Sequence, residues 1–145
     1  MAVRKLGLPA ECLDLIIGHV QREAPYEACG LLGGKGGQVT SVFCIPNVAP
    51  NPLTSFLMEP QAQLSALLTM EERGMELVAI YHSHPSGARS DPSPSDIAQA
   101  YYPGVAHLII VPGLDGGIAS LRAFMIEGGQ VSEMPVITKR VIRNG

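Results

Sequence analysis

The 145-residue sequence predicts one α/β (α+β) domain, a mixed β-sheet flanked by helices, on three observations. Apolar spacing switches between helical and strand periods in the order helix, strands, helix, strand, helix, strands. Hydrophobic residues supply 46% of the chain and charged residues only 16%, the balance of a chain with a substantial core. Gly (16) and Pro (12) are frequent, so the elements must be short and separated by many turns. At this length folding buries roughly 68–70% of the unfolded surface, so no disulfide staple is required.

The elements follow in order. Pro9 opens a run in which Leu13, Ile16, Ile17 and Val20 recur at i, i+3, i+4 and i+7, so residues 8–23 read as an amphipathic helix ended by Pro25, with His19 on its solvent side. Residues 28–33 and 38–45 are β-rich runs joined by a glycine-rich turn, a hairpin. A further short strand is expected at 54–58. Glu59-Pro60 opens a second helix in which Leu64, Leu67 and Leu68 keep helical spacing until Gly74. Residues 77–81 form a buried strand leading into His82. A Ser/Pro/Asp-rich loop precedes a helix at 95–102, stopped by Pro103-Gly104, and strands follow at 106–111, 118–126 and 131–135.

Charge and cysteine usage exclude several functions. A net charge of −3, a pI near 5.7 and scattered Lys and Arg leave no footprint for phosphate backbones, so no nucleic-acid partner is expected. Cys12, Cys29 and Cys44 match neither a zinc knuckle nor a redox pair, which fits a reducing, cytoplasmic setting. Basic residues near Met1 resemble a signal n-region, but Glu11 and Asp14 interrupt the apolar run that would have to follow, so no export signal is expected. The uncharged stretch 36–58 is long enough to cross a bilayer yet contains Pro46, Asn47, Pro50, Asn51 and Pro52. It reads as strand, loop and strand, with no membrane partner.

The chemistry concentrates in His82-Ser83-His84-Pro85 and Ser93-Pro94-Ser95-Asp96. At a strand end, residues two apart point the same way, so His82 and His84 can present their imidazoles to one metal ion. Asp96, in the first turn of the helix after the loop, is placed to fold back as a third ligand, although Asp91 in the same loop is a rival. Two nitrogens and one oxygen leave a fourth tetrahedral position for water, the pattern of a catalytic rather than a closed structural zinc site. Amide hydrolysis also needs a proton carrier, and Glu27, an acid directly before an apolar strand, is the candidate. Ser93 is placed to donate to the oxyanion, while Pro94 at the next position also suits it to a plain helix N-cap.

Glu27 with Ala-Cys-Gly-Leu-Leu-Gly, His82-Ser83-His84-Pro85 and Ser93-x-x-Asp96 together resemble the JAMM, or MPN-plus, metalloprotease family, in its short stand-alone prokaryotic type. The resemblance implies an MPN-type, cytidine-deaminase-like sandwich with one Zn2+ on His82, His84 and Asp96, Glu27 as general acid/base and Ser93 as oxyanion stabiliser. It further implies hydrolysis of the amide or isopeptide bond after the C-terminal Gly-Gly of a ubiquitin-like or sulfur-carrier protein, and a homodimer, which relatives often form. One departure stands out: the interval from His84 to Asp96 is one residue longer than the family pattern, so a bulge is expected around Arg89-Ser90-Asp91. The alternative is a catalytically silent MPN-type scaffold; silent members lose ligands, and this chain retains a full set. His107 and Cys29, both in apolar strands, read as a hydrogen-bonded core histidine and a small buried hydrophobe.

Overall fold

A computed structural model describes residues 5–85, 87 and 89–139. In chain order the elements are β1 (Leu6–Gly7), α1 (Ala10–Glu23), β2 (Cys29–Lys35), β3 (Gln38–Ile45), α2 (Pro60–Glu72), β4 (Glu76–Ser83), α3 (Pro94–Ala98), β5 (Ala106–Pro112), β6 (Ile118–Glu127), β7 (Gln130–Met134) and β8 (Val136–Ile137). The strands form one mixed sheet in the order β7, β6, β5, β4, β2, β3, β1, β8. β4 lies inside it, antiparallel to β2 and parallel to β5.

Two apolar layers cover the sheet. On one face Ile16 and Val20 of α1 pack with Leu32, Tyr81, Leu108 and Ile110. On the other, Ala66 and Met70 of α2 pack with Leu31, Ile45, Met58 and Ile80. Because side chains alternate along a strand, Ile80 and His82 share the α2 face while Tyr81 faces α1. Strands covered on both faces are near-continuous hydrophobic runs, which is the character of 77–81.

The hairpin between β2 and β3 turns at Gly36 and Gly37, with φ of 59° and 80°, and glycine meets the positive φ that a tight primed turn requires. Gly30 serves a different need. It sits opposite Tyr81, and a Cβ there would lie 2.2 Å from Tyr81 Cε2. The bare backbone lets the Tyr81 ring cross β2.

Several expectations are corrected. Residues 54–58 do not form a strand: a single bridge joins Asn47 to Met58, and the rest is held by loop hydrogen bonds. His19 is not on the surface of α1. It is buried, with Nδ1 2.7 Å from the Tyr81 hydroxyl. On α2, Leu64 and Leu68 face outward while Ala66 and Met70 enter the core and Leu67 packs beside it, because the face turned to the sheet runs through 66, 67 and 70. α3 ends at Ala98 rather than near residue 102. Tyr102 leaves the helix to pack beside the α2-side core, where its hydroxyl accepts from Gln63 Nε2 at 3.0 Å. The marginal pairs β1 and β8 carry too few residues for a periodic signal.

Candidate metal centre

The C-terminal end of β4 builds the site. Beyond the strand the His84 amide donates to the Ile110 carbonyl at 2.9 Å, which extends pairing with β5 by one step and keeps both imidazoles on one side. Ser83, between them, faces the other way. Its hydroxyl accepts from the Ala28 amide at 2.8 Å, and its own amide donates to the Ala28 carbonyl at 3.0 Å. That pair of bonds ties the residue after Glu27 to the residue between the histidines.

Asp96 arrives from α3. Ser93 is its N-cap: Ser93 Oγ accepts from the Asp96 amide at 3.0 Å, and the Ser93 amide donates to Asp96 Oδ2 at 2.8 Å, a reciprocal capping box. The cap uses a lone pair of the hydroxyl and leaves its proton free to donate elsewhere. Two arginines hold the loop before α3. Arg89 Nη1 donates to the Pro92 carbonyl at 3.0 Å, and Arg122 Nη1 donates to Ser90 Oγ at 2.8 Å. Asp91 points to solvent beside Arg89 and takes no part in the cluster.

The three expected ligand atoms converge. His82 Nε2 and His84 Nε2 are 2.9 Å apart, and Asp96 Oδ2 lies 3.1 Å from the first and 3.2 Å from the second. Zinc bonds of about 2.0–2.2 Å at tetrahedral angles place ligand atoms roughly 3.3–3.5 Å apart, so the observed triangle is slightly tighter than a zinc site. His84 Nδ1 donates to the Arg89 carbonyl at 3.0 Å, which in the neutral ring leaves a lone pair on Nε2, facing a carboxylate oxygen. Converging lone pairs of this kind are satisfied by a cation. His82 Nδ1 has no partner, and its ring is oriented by stacking on Phe56 instead, centroids 4.5 Å apart.

Protonation follows from these contacts. Burial lowers His82, which is fully enclosed, against the opposing pull of Asp96. Burial also works against a charged His84, yet the bonds to Asp96 and the Arg89 carbonyl raise it overall. Burial would raise Asp96, but wherever the rings of His82 and His84 carry a proton on Nε2, their hydrogen bonds hold it well below the usual carboxylate range. Glu27 is the contrasting acid. It is buried, its Oε1 has no hydrogen-bond partner, and its carboxylate lies within 4.8 Å of the same histidines. Burial pushes it up to about 7, opposed by His84 and reinforced by Asp96. One acid is thus strongly ionised with its Oδ2 hydrogen-bonded, while the other is poised to take or give a proton near neutrality.

On the His82 and Asp96 side the centre opens into a cavity of about 280 Å³ walled by Phe56, Met58, Ile80, Tyr101, Tyr102 and His107. His107 is buried as expected, but its Nε2 has no hydrogen-bond partner, and burial lowers it to about 4. Cys29 is fully buried and burial pushes its thiol up to about 12, which makes it a packing residue. The cavity walls left no periodic signal in the sequence, because they come from four separate segments.

Comparison with known proteins then decides the family. The model for prokaryotic homologs of the JAB domain matches residues 9–127, which contain every element of the site. The chain belongs to this prokaryotic JAB-domain family. Among curated relatives of this JAB-domain chain, a probable TtuB-protein conjugate cleaving protease of Thermus thermophilus is 42% identical over 132 residues, 91% of this chain and 83% of the relative. A desampylase of Haloferax volcanii is 36% identical over 77% of this chain and 84% of its own length. A CysO-cysteine peptidase of Mycobacterium tuberculosis is 33% identical over 90% and 89%. Among solved structures, a protein from Desulfitobacterium hafniense superposes with a TM-score of 0.82 at 30% identity, covering 94% of both chains. A JAB1/MPN domain protein from Archaeoglobus fulgidus shares the fold at a TM-score of 0.61 and 20% identity, over 92% of this chain and 98% of that one. Among the described residues no helix is long and apolar enough to cross a membrane.

Proposed function

We propose that this JAB-domain chain is a zinc-dependent peptidase or isopeptidase that hydrolyses the amide bond after the C-terminal Gly-Gly of a ubiquitin-like or sulfur-carrier protein. The observation that carries the reading is the triangle of His82 Nε2, His84 Nε2 and Asp96 Oδ2 with the buried Glu27 carboxylate, its Oε1 without a hydrogen-bond partner, beside it. Its substrate class follows the named relatives, which act on TtuB and CysO conjugates or are desampylases.

His82, His84 and Asp96 would hold the ion. Zinc, when bound there, supplies Lewis-acid polarisation that makes water a competent nucleophile near neutral pH. Glu27 accepts the proton of the attacking water and delivers it to the leaving nitrogen, a task suited to a carboxyl whose affinity for protons lies near 7. The Ser93 hydroxyl, its lone pair committed to the Asp96 amide, turns its proton towards the oxyanion that develops on the attacked carbonyl. Arg89 and Arg122 hold the loop that delivers both residues.

The test combines elemental analysis with hydrolysis of a ubiquitin-like protein ending in Gly-Gly-aminomethylcoumarin. About one zinc per chain is expected, with turnover lost to chelator and restored by zinc. Glu27→Gln should retain the zinc and lose turnover by about 10²–10⁴-fold. A natively folded protein that takes up no zinc would overturn the reading.

A further inference from the structure

Glu27 is held by its backbone through a segment that supplies no ligand atom to the triangle. Its amide donates to the Pro52 carbonyl at 2.8 Å, and its carbonyl accepts from Asn47 Nδ2 at 2.9 Å. Both partners belong to the strap of residues 46–59, closed at its base by the Glu59 amide on the Pro46 carbonyl at 3.0 Å.

Asn47 organises that strap. Besides Glu27, its Nδ2 donates to the Ser55 carbonyl at 3.1 Å, while Oδ1 accepts from the amides of Ala49 and Leu57, each at 3.0 Å. Two donors and two acceptors make up the full hydrogen-bonding capacity of an asparagine amide, and all four are used. Only asparagine offers both kinds of group on so short a stem; Asp would set a second carboxylate oxygen against two carbonyls. The same strap carries Phe56, which stacks on His82, and Met58 in the cavity wall. One amide therefore sets three things: where the Glu27 backbone lies, where the ring against His82 sits, and where the cavity wall begins.

We propose that Asn47 is a positioning residue for hydrolysis, acting through Glu27 and the strap rather than by touching substrate. The inference rests on the reading of Glu27 as the proton carrier. A displacement on the order of 1 Å at a reacting group costs about 10²-fold in rate, and the buried Glu27 Oε1 has no hydrogen bond to correct such a shift.

The experiment compares Asn47→Ala and Asn47→Asp with wild type in three measurements. Single-turnover cleavage of the Gly-Gly-aminomethylcoumarin fusion, well below each variant's melting temperature, should fall by about 10–100-fold. The loss should appear in kcat more than in KM, with zinc content unchanged. In the Glu27→Gln background, the same substitutions should produce little further loss, since residues acting through one another are non-additive. In chelator-treated protein, amide hydrogen exchange should accelerate at Glu27 and Leu57 but not at Leu108 in the sheet. Full additivity in the Glu27→Gln background, or unchanged exchange at Glu27, would overturn the proposal even if activity falls. Should Asn47→Ala fail to fold, Asn47→Asp carries the same comparisons, because it preserves the two accepted bonds and removes only the donated ones. If Glu27→Gln alone retains turnover, the reading of Glu27 fails first, and the exchange measurement still judges Asn47.

Discussion

Replacing Glu27 by Gln should stabilise the metal-free fold at alkaline pH while removing the activity. In the folded chain burial raises this acid from 4.5 to about 7. Each tenfold change in proton affinity is worth about 1.4 kcal/mol, so the ionised carboxylate costs the fold at most about 3.5 kcal/mol, and about 2–3 kcal/mol after allowance for solvent screening. The sign follows from the raised value. The stabilising contribution of the protonated form is complete below 4.5 and is lost as pH climbs through about 7. Gln resembles the protonated acid at every pH. Chelator-treated wild type and Glu27→Gln should therefore denature alike near pH 4 and separate progressively up to pH 8, where the variant leads by about 2–3 kcal/mol, roughly 5–10 °C in Tm. Added zinc should shrink the wild-type deficit, because a divalent cation favours the charged carboxylate. Equal stabilities across that pH range, measured by urea denaturation, would refute the claim that Glu27 is buried at a cost.

Other consequences are direct. Asp96→Ala should strip zinc from the protein and Asp91→Ala should leave it at about one per chain, measured by elemental analysis; the reverse result would move the third ligand into the loop before α3. Gly30→Ala should destabilise by about 3 kcal/mol in denaturant titration, since the new methyl meets Tyr81 Cε2 at 2.2 Å and the Phe43 carbonyl oxygen at 2.5 Å. A loss below about 1 kcal/mol would show that Tyr81 moves freely.

The site residues were legible for a local reason. His82 and His84 share a face because a strand repeats every two residues, and the Ser93-x-x-Asp96 spacing is that of a capping box; neither argument needs the rest of the chain. The family resemblance supplied the rest of the expected roles from residues 27–96. The burial of His19 is not legible locally for a corresponding reason. Its partner Tyr81 lies 62 positions away, and nothing in the helical period of α1 announces a hydroxyl from the sheet. The segment 54–58 has strand-like residues, but no neighbouring strand is available along its length, so its amides turn to Asn47 and the loop.

The sequence by itself determined the alternation of helices and strands, the paired histidines, and the acids at 27 and 96, because periodicity and motif spacing act over a few residues. Only the tertiary structure set Asp96 and Asp91 apart: Asp91 lies exposed beside Arg89, and the capping box with Ser93 places Asp96 Oδ2 against the histidines. Only it separated the two acids of the site, since Asp96 Oδ2 receives hydrogen bonds and Glu27 Oε1 receives none. It also revealed Asn47, whose four partners are distant in the chain or buried in loop geometry. Those distinctions depend on desolvation and on contacts between remote segments, which residue order does not encode locally.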